Sequence, residues 1–104
     1  MRILKFNVDG QSLKKDPACD FSGIVLGTKQ YLECFFTLSK EWNECNVVAS
    51  FFAYGKEQGA APIVNGKCKV PDEITDFKAF QISLIGVKGD YRITTGKVKI
   101  EQEA

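Results

Sequence analysis

The run Tyr31-Leu32-Glu33-Cys34-Phe35-Phe36-Thr37-Leu38 puts Leu32, Cys34, Phe36 and Leu38 on one side of an extended chain and Tyr31, Glu33, Phe35 and Thr37 on the other. A period of two is the signature of a strand with one buried face, because successive side chains of an extended chain point in opposite directions. The same pattern recurs on both sides. Leu4, Phe6 and Val8 alternate with Lys5 and Asn7, and Phe80, Ile82 and Leu84 alternate within Phe77–Val87. Asn46–Tyr54 carries β-branched or aromatic residues on both faces, Val47 and Phe51 against Val48 and Phe52. It is expected to be central in its sheet or covered by a partner.

The turn residues divide these runs into hairpins. Asp9-Gly10 is expected to close the first as a two-residue loop, with Phe6 opposite Leu13. Lys56–Gly59 reads as a turn leading to a second hairpin closed by Asn65-Gly66, with Ile63 opposite Cys68 and Ala61 opposite Val70. A Lys88-Gly89 loop would set Leu84 opposite Ile93. Inward parity changes between Tyr91/Ile93 and Val98/Ile100, which predicts a bulge at Thr95-Gly96. From Lys15 to Thr28 the chain reads as a connection, with Ile24–Leu26 adding a short strand or plugging an open end. Pro71 ends a strand, and Asp72–Asp76 has room only for a helical turn. Seven or eight strands with closely spaced turns and no helix predict two packed antiparallel sheets in one domain spanning 1–104; a small closed barrel is the alternative.

Composition limits function. Of 104 residues 44% are hydrophobic, including eight Phe, three Tyr and one Trp, enough for a real core. No apolar run reaches membrane-spanning length, and from the start, Met1–Phe6, no secretory signal is expected. Membrane insertion is not expected. Fourteen basic and thirteen acidic residues are interleaved, giving a net charge of +1 and no sequence-level basic patch for nucleic acid. Cys19, Cys34, Cys45 and Cys68 are too widely spaced for a Cys-x-x-Cys zinc site, and there is no histidine. Free thiols are expected, with Cys34 and Cys68 in the core; no metal or cofactor is expected.

Without histidine, general acid–base chemistry would fall to carboxylates such as Asp72, Glu73 and Asp76. Asp72 after Pro71 reads as a turn former and the other two as solvent-facing charges, so the chain is not expected to be an enzyme. A surplus of large apolar residues points to binding. Tyr31, Phe35, Phe52 and Tyr54 are the candidate interaction surface, with core membership the competing role for each. Trp42, Tyr54 and Tyr91 are the rings that would form a glycan platform if the domain were a carbohydrate-binding module. Trp42, beside a strand end, is otherwise expected to close the core.

Phe36–Trp42, Ala49–Phe52, Cys68-Lys69-Val70-Pro71-Asp72-Glu73-Ile74, Phe80–Val87 and Tyr91-Arg92-Ile93-Thr94-Thr95 together span about residues 30 to 100. In these stretches the chain resembles the amino-terminal immunoglobulin-like domain of tail and baseplate proteins of phages infecting Gram-positive bacteria. Gly96 stands where that family commonly has asparagine; both residues tolerate positive φ. The resemblance implies an immunoglobulin-like sandwich and a non-enzymatic virion structural role. It also implies synthesis in the host cytoplasm, assembly into the virion tail as a homo-oligomer, and contacts with other phage tail or baseplate proteins near the receptor-binding device. It further implies that the domain is either the amino-terminal part of a longer tail protein or a small stand-alone virion protein.

Overall fold

The computed structural model describes residues 1–104. Its strands are β1 (Arg2–Asp9), β2 (Ser12–Lys15), β3 (Leu32–Leu38), β4 (Asn46–Ala53), β5 (Lys56–Pro62), β6 (Lys67–Lys69), β7 (Ala79–Lys88), β8 (Tyr91–Thr94) and β9 (Val98–Glu101). A four-stranded sheet, β2-β1-β3-β6, faces a five-stranded one, β5-β4-β7-β8, in which β9 also pairs with β7. This is the two-sheet, mostly antiparallel sandwich that the alternation predicts. No helix is long and apolar enough to cross a membrane. β8 and β9 follow one another along the same edge of β7. Counted as one bulged strand, they bring the nine segments to eight.

Parity explains why the sheets close on each other. Leu4, Phe6 and Val8 of β1 and Leu32, Cys34 and Phe36 of β3 are buried, and meet Val47, Ala49 and Phe51 of β4 and Phe80, Ile82 and Leu84 of β7. Each large apolar side chain buried contributes roughly 1.5–3 kcal/mol, and a slip of one residue would turn a whole strand's set outward. The Phe6 and Phe36 rings stack at 5.1 Å between centroids. β4 is central, between β5 and β7.

The hairpin registers differ from expectation in one consistent way. β1 and β2 turn through Gly10-Gln11, pairing Val8, not Phe6, with Leu13. β7 and β8 turn through Gly89-Asp90, pairing Gly86, not Leu84, with Ile93. Both loops sit one residue later than the sequence suggests. Gly10 and Gly89, at φ 58° in each, take the first loop position. The shift moves cross-strand partners by two, which leaves every side chain on its expected face.

Three other expectations change. β1 and β3 are parallel, in register from Arg2–Leu32 to Val8–Leu38, because β2 and the connection after it return the chain to the end where β1 began before β3 starts. Lys56–Gly59 is not a turn but the start of β5; the turn is Tyr54-Gly55, both at positive φ (53° and 76°). Asn65-Gly66 does form a turn with both φ positive (53° and 78°), but its arms diverge to different sheets. Ala61 pairs with Ala49 on β4 and Cys68 with Cys34 on β3, not with Val70 and Ile63.

The predicted bulge is present. Thr95, Gly96 and Lys97 span the gap opposite Ser83 and Leu84 of β7, one residue more than the partner strand. Leu84 N–H donates to Thr95 Oγ1 at 2.9 Å. Ile24 is buried and plugs one end, while Val25 makes a single parallel bridge to Glu103. At the same end, Gln102 reaches inward and its amide donates to the Thr75 and Phe77 carbonyls at 3.1 and 2.7 Å. The opposite end is closed by a 3₁₀ turn, Lys40–Trp42. Trp42 is 2% exposed, and its indole N–H donates to the Gly10 carbonyl at 2.9 Å.

The Trp42 ring lies directly on Gly86, where an added Cβ would stand 2.8 Å from Cε3 and Cζ3. Gly86→Ala is therefore expected to destabilise the domain by about 1–3 kcal/mol through overpacking, seen as a lower thermal midpoint. In the same measurement Gly23→Ala, where an added Cβ meets nothing within 4 Å but φ is +68°, should cost only the smaller backbone strain.

Candidate interaction surface

The residues that sequence reasoning singled out for binding lie in three places. Phe52 points outward from β4, since its neighbours Phe51 and Ala53 face the core. Tyr54 occupies the β4–β5 turn and is 90% exposed. These two share an open groove of about 340 Å³ with Lys78, Gln81 and Lys99. Tyr31, half exposed, lines a second groove of about 400 Å³ with Arg2, Ile24, Val25, Thr28 and Leu32. Phe35 lies on the outer face of the other sheet, between Lys5 of β1 and Lys67 of β6. The four residues thus do not form one surface; only Phe52 and Tyr54 come together.

Strand register builds the first groove. Phe52 pairs with Gln81 and Gln81 with Lys99, so the three side chains form one row across β4, β7 and β9. Lys97, at the end of the bulge, places its Nζ 4.1 Å from the centre of the Phe52 ring, a cation–π contact. Tyr54 meets Phe77 edge to face at 5.6 Å. No carboxylate lines the groove, and the ion pairs of the molecule, Lys29–Asp76 and Lys88–Glu44, leave Lys78, Lys97 and Lys99 unpaired. Further along the same face, Val48 lies opposite Ile85, and Ser50 and Ser83 are buried between the larger rows. The result is a sheet face whose end near Tyr54 is aromatic and mixed in charge, since Glu57 pairs with Phe52 and Glu101 with Ala79 beside these lysines.

Lys78, Gln81, Lys97 and Lys99 escaped sequence reasoning. Alternation with Val98 and Ile100 marks Lys97 and Lys99 as outward-facing, but only the β4–β7–β9 register sets them beside Phe52. The second groove differs in kind. Arg2 spends its guanidinium on the carbonyls of Asp20 and Ser22, at 3.0 and 2.5 Å. Hydrogen bonds from the Ser22 hydroxyl and amide hold the Asp20 carboxyl below its usual range, so it is ionised at neutral pH.

The glycan platform is not assembled. Trp42 is buried, and the Tyr91 hydroxyl donates to the Glu41 carbonyl at 3.0 Å beside it. Tyr91 pairs with Lys88 at one end of β7, whereas Tyr54 lies past the other end, a separation on the order of 30 Å at the strand rise per residue. Asp72 and Asp76 tie the 72–76 loop to Gln30 and Lys29. Asp72 accepts from the Gln30 backbone and side-chain amides at 3.2 and 3.1 Å, and Asp76 pairs with Lys29 at 3.1 Å. No three His, Cys, Asp or Glu side chains are grouped as metal ligands.

The chain matches no family model, no curated protein and no solved structure.

Because Tyr54 contributes little to the core, Tyr54→Ala is expected to change the unfolding free energy by less than about 1 kcal/mol. Trp42→Ala should cost about 3–5 kcal/mol. Parallel denaturant titrations check both values, and a large loss at Tyr54 would make it a structural residue.

Proposed function

We propose that this domain is a non-enzymatic binding module of a phage tail or baseplate, one that docks on other tail proteins and anchors or accompanies the receptor-binding device. The setting comes from the resemblance of residues 30–100; the physical support comes from the groove. Its carrying observation is the Phe52–Gln81–Lys99 row with Tyr54 at its end, where aromatic surface and unpaired ammonium groups meet outside an already complete core.

Covering Tyr54 and the exposed part of Phe52 would remove on the order of 200 Å² of apolar surface from water, at about 25 cal/mol per Å² before association entropy is subtracted. One such contact is weak. Copies repeated by the symmetry of a tail would raise the effective concentration of each later contact, so a homo-oligomeric arrangement suits the module. The lysines, with Glu57 and Glu101 on the same face, favour a partner surface with charges of both signs around an apolar centre. Neither the buried Trp42 nor the separated tyrosines favour the glycan reading.

Co-expression with the products of adjacent tail genes, followed by size-exclusion chromatography with light scattering, tests the proposal. The wild-type chain should form a complex that weakens with added salt. The double variant Phe52→Glu, Lys99→Glu should bind at least about tenfold more weakly while keeping a cooperative unfolding transition. Phe35→Glu, on the other sheet, should bind as wild type. Undiminished binding by the folded double variant would refute the assignment of this groove.

A further inference from the structure

Cys34 and Cys68 stand directly opposite each other on β3 and β6, and both are buried. Backbone bonds flank them on each side, from Val70 N–H to the Leu32 carbonyl at 3.0 Å and from Phe36 N–H to the Gly66 carbonyl at 2.8 Å. The cysteines therefore occupy a hydrogen-bonded position of the ladder, with Cα atoms about 5.5 Å apart. That lies inside the roughly 4.4–6.8 Å range of disulfides. Their Cβ atoms need to approach by about 1–2 Å from the usual spacing of a hydrogen-bonded cross-strand pair. β6, three residues long and at the edge of its sheet, is the element able to move.

We infer that Cys34 and Cys68 form an oxidation site, closing an intramolecular cross-strand disulfide that ties β6 to β3 when the domain meets a low-molecular-weight disulfide such as oxidised glutathione. All four cysteines are free thiols in the structure. The neighbouring Cys68 side chain, and then burial, push the Cys34 thiol well above its ordinary range, so it is inert while β6 is docked. Reaction follows local opening of the edge. The Cys68 thiol loses its proton to water, and its thiolate attacks one sulfur of glutathione disulfide, expelling the first glutathione thiolate. Cys34, deprotonated in turn, attacks the Cys68 sulfur of that mixed disulfide and expels the second. Two electrons pass to the oxidant, and the two protons end on the released glutathiones.

Cys19 and Cys45 have no such partner. Cys19 lies against the backbone of Ile3 and Lys5, and Cys45 lies at the opposite end of the sandwich, just before β4. The test uses the full chain, both wild type and a variant carrying Cys19→Ser and Cys45→Ser, incubated with oxidised glutathione. The expected result is a mass lower by two hydrogens in the variant and joined Cys34 and Cys68 peptides in both proteins. Exchange of the Val70 and Phe36 amides should slow by about tenfold or more, and dithiothreitol should reverse every change. Adding Cys68→Ser to the variant should abolish the linkage. Overturning results are thiols left unmodified under conditions that oxidise the unfolded chain, a persistent glutathione adduct or intermolecular dimer in place of the linkage, or a linkage that leaves those amides exchanging as before.

Discussion

The contact between Trp42 and Gly86 is the constraint on which the rest of the sandwich depends. A strand pair holds within one sheet, but the two sheets need something to fix their spacing and offset where they open to solvent. Trp42 does this from the loop that carries the chain from β3 to β4. Its ring lies on the Gly86 backbone of the five-stranded sheet, while its N–H holds the Gly10 turn of the four-stranded sheet. Gly10 N–H donates in turn to Ser39 Oγ at 2.9 Å, so the 3₁₀ turn and the first hairpin brace one another. At the other end the same closure is made by Ile24 and by the Gln102 amide. That solution leaves Gln102 Oε1 buried without a partner.

Facing was legible in the sequence; register was not. Alternation placed Leu4, Phe6, Cys34, Phe36, Phe80, Ile82 and Leu84 inside, and each is buried. The parity change at Thr95-Gly96 located a bulge that strand pairing bears out. Both terminal hairpins were nevertheless misaligned by two residues. A two-residue slip preserves the buried face, so hydrophobic pattern cannot detect it; the difference lies in which loop position takes positive φ. Asn65-Gly66 failed differently. The turn was correctly read, but nothing local says that its two arms leave for different sheets, which depends on β3 and β4 offering better partners.

The same limit governs the surface. Sequence flagged Phe52 and Tyr54 because β4 has more large side chains than one face can bury. It could not distinguish them from Phe35, whose pattern is equivalent but which the fold sets on the opposite sheet. Nor could it find Lys78, just before β7, and Lys99 on β9, which come beside Phe52 only through the β4–β7–β9 register. Interleaved charge in sequence had argued against a basic patch. Folding brings three lysines near one aromatic ring: Lys97 from the bulge lies over Phe52, Lys99 of β9 shares its row, and Lys78, just before β7, lines the same groove. The Cys34–Cys68 juxtaposition is another product of register, since each cysteine alone reads only as a small core residue.

With its single tryptophan, the protein reports on its own closure. Iodide quenching of Trp42 fluorescence, followed through a denaturant titration alongside far-ultraviolet circular dichroism, tests whether Trp42 holds the two sheets together. A buried Trp42 gives blue-shifted emission that iodide barely quenches in the folded domain, with exposure of the indole and loss of sheet signal at one common midpoint. Red-shifted, readily quenched emission under native conditions would contradict it. So would exposure of Trp42 well before the sheets are lost.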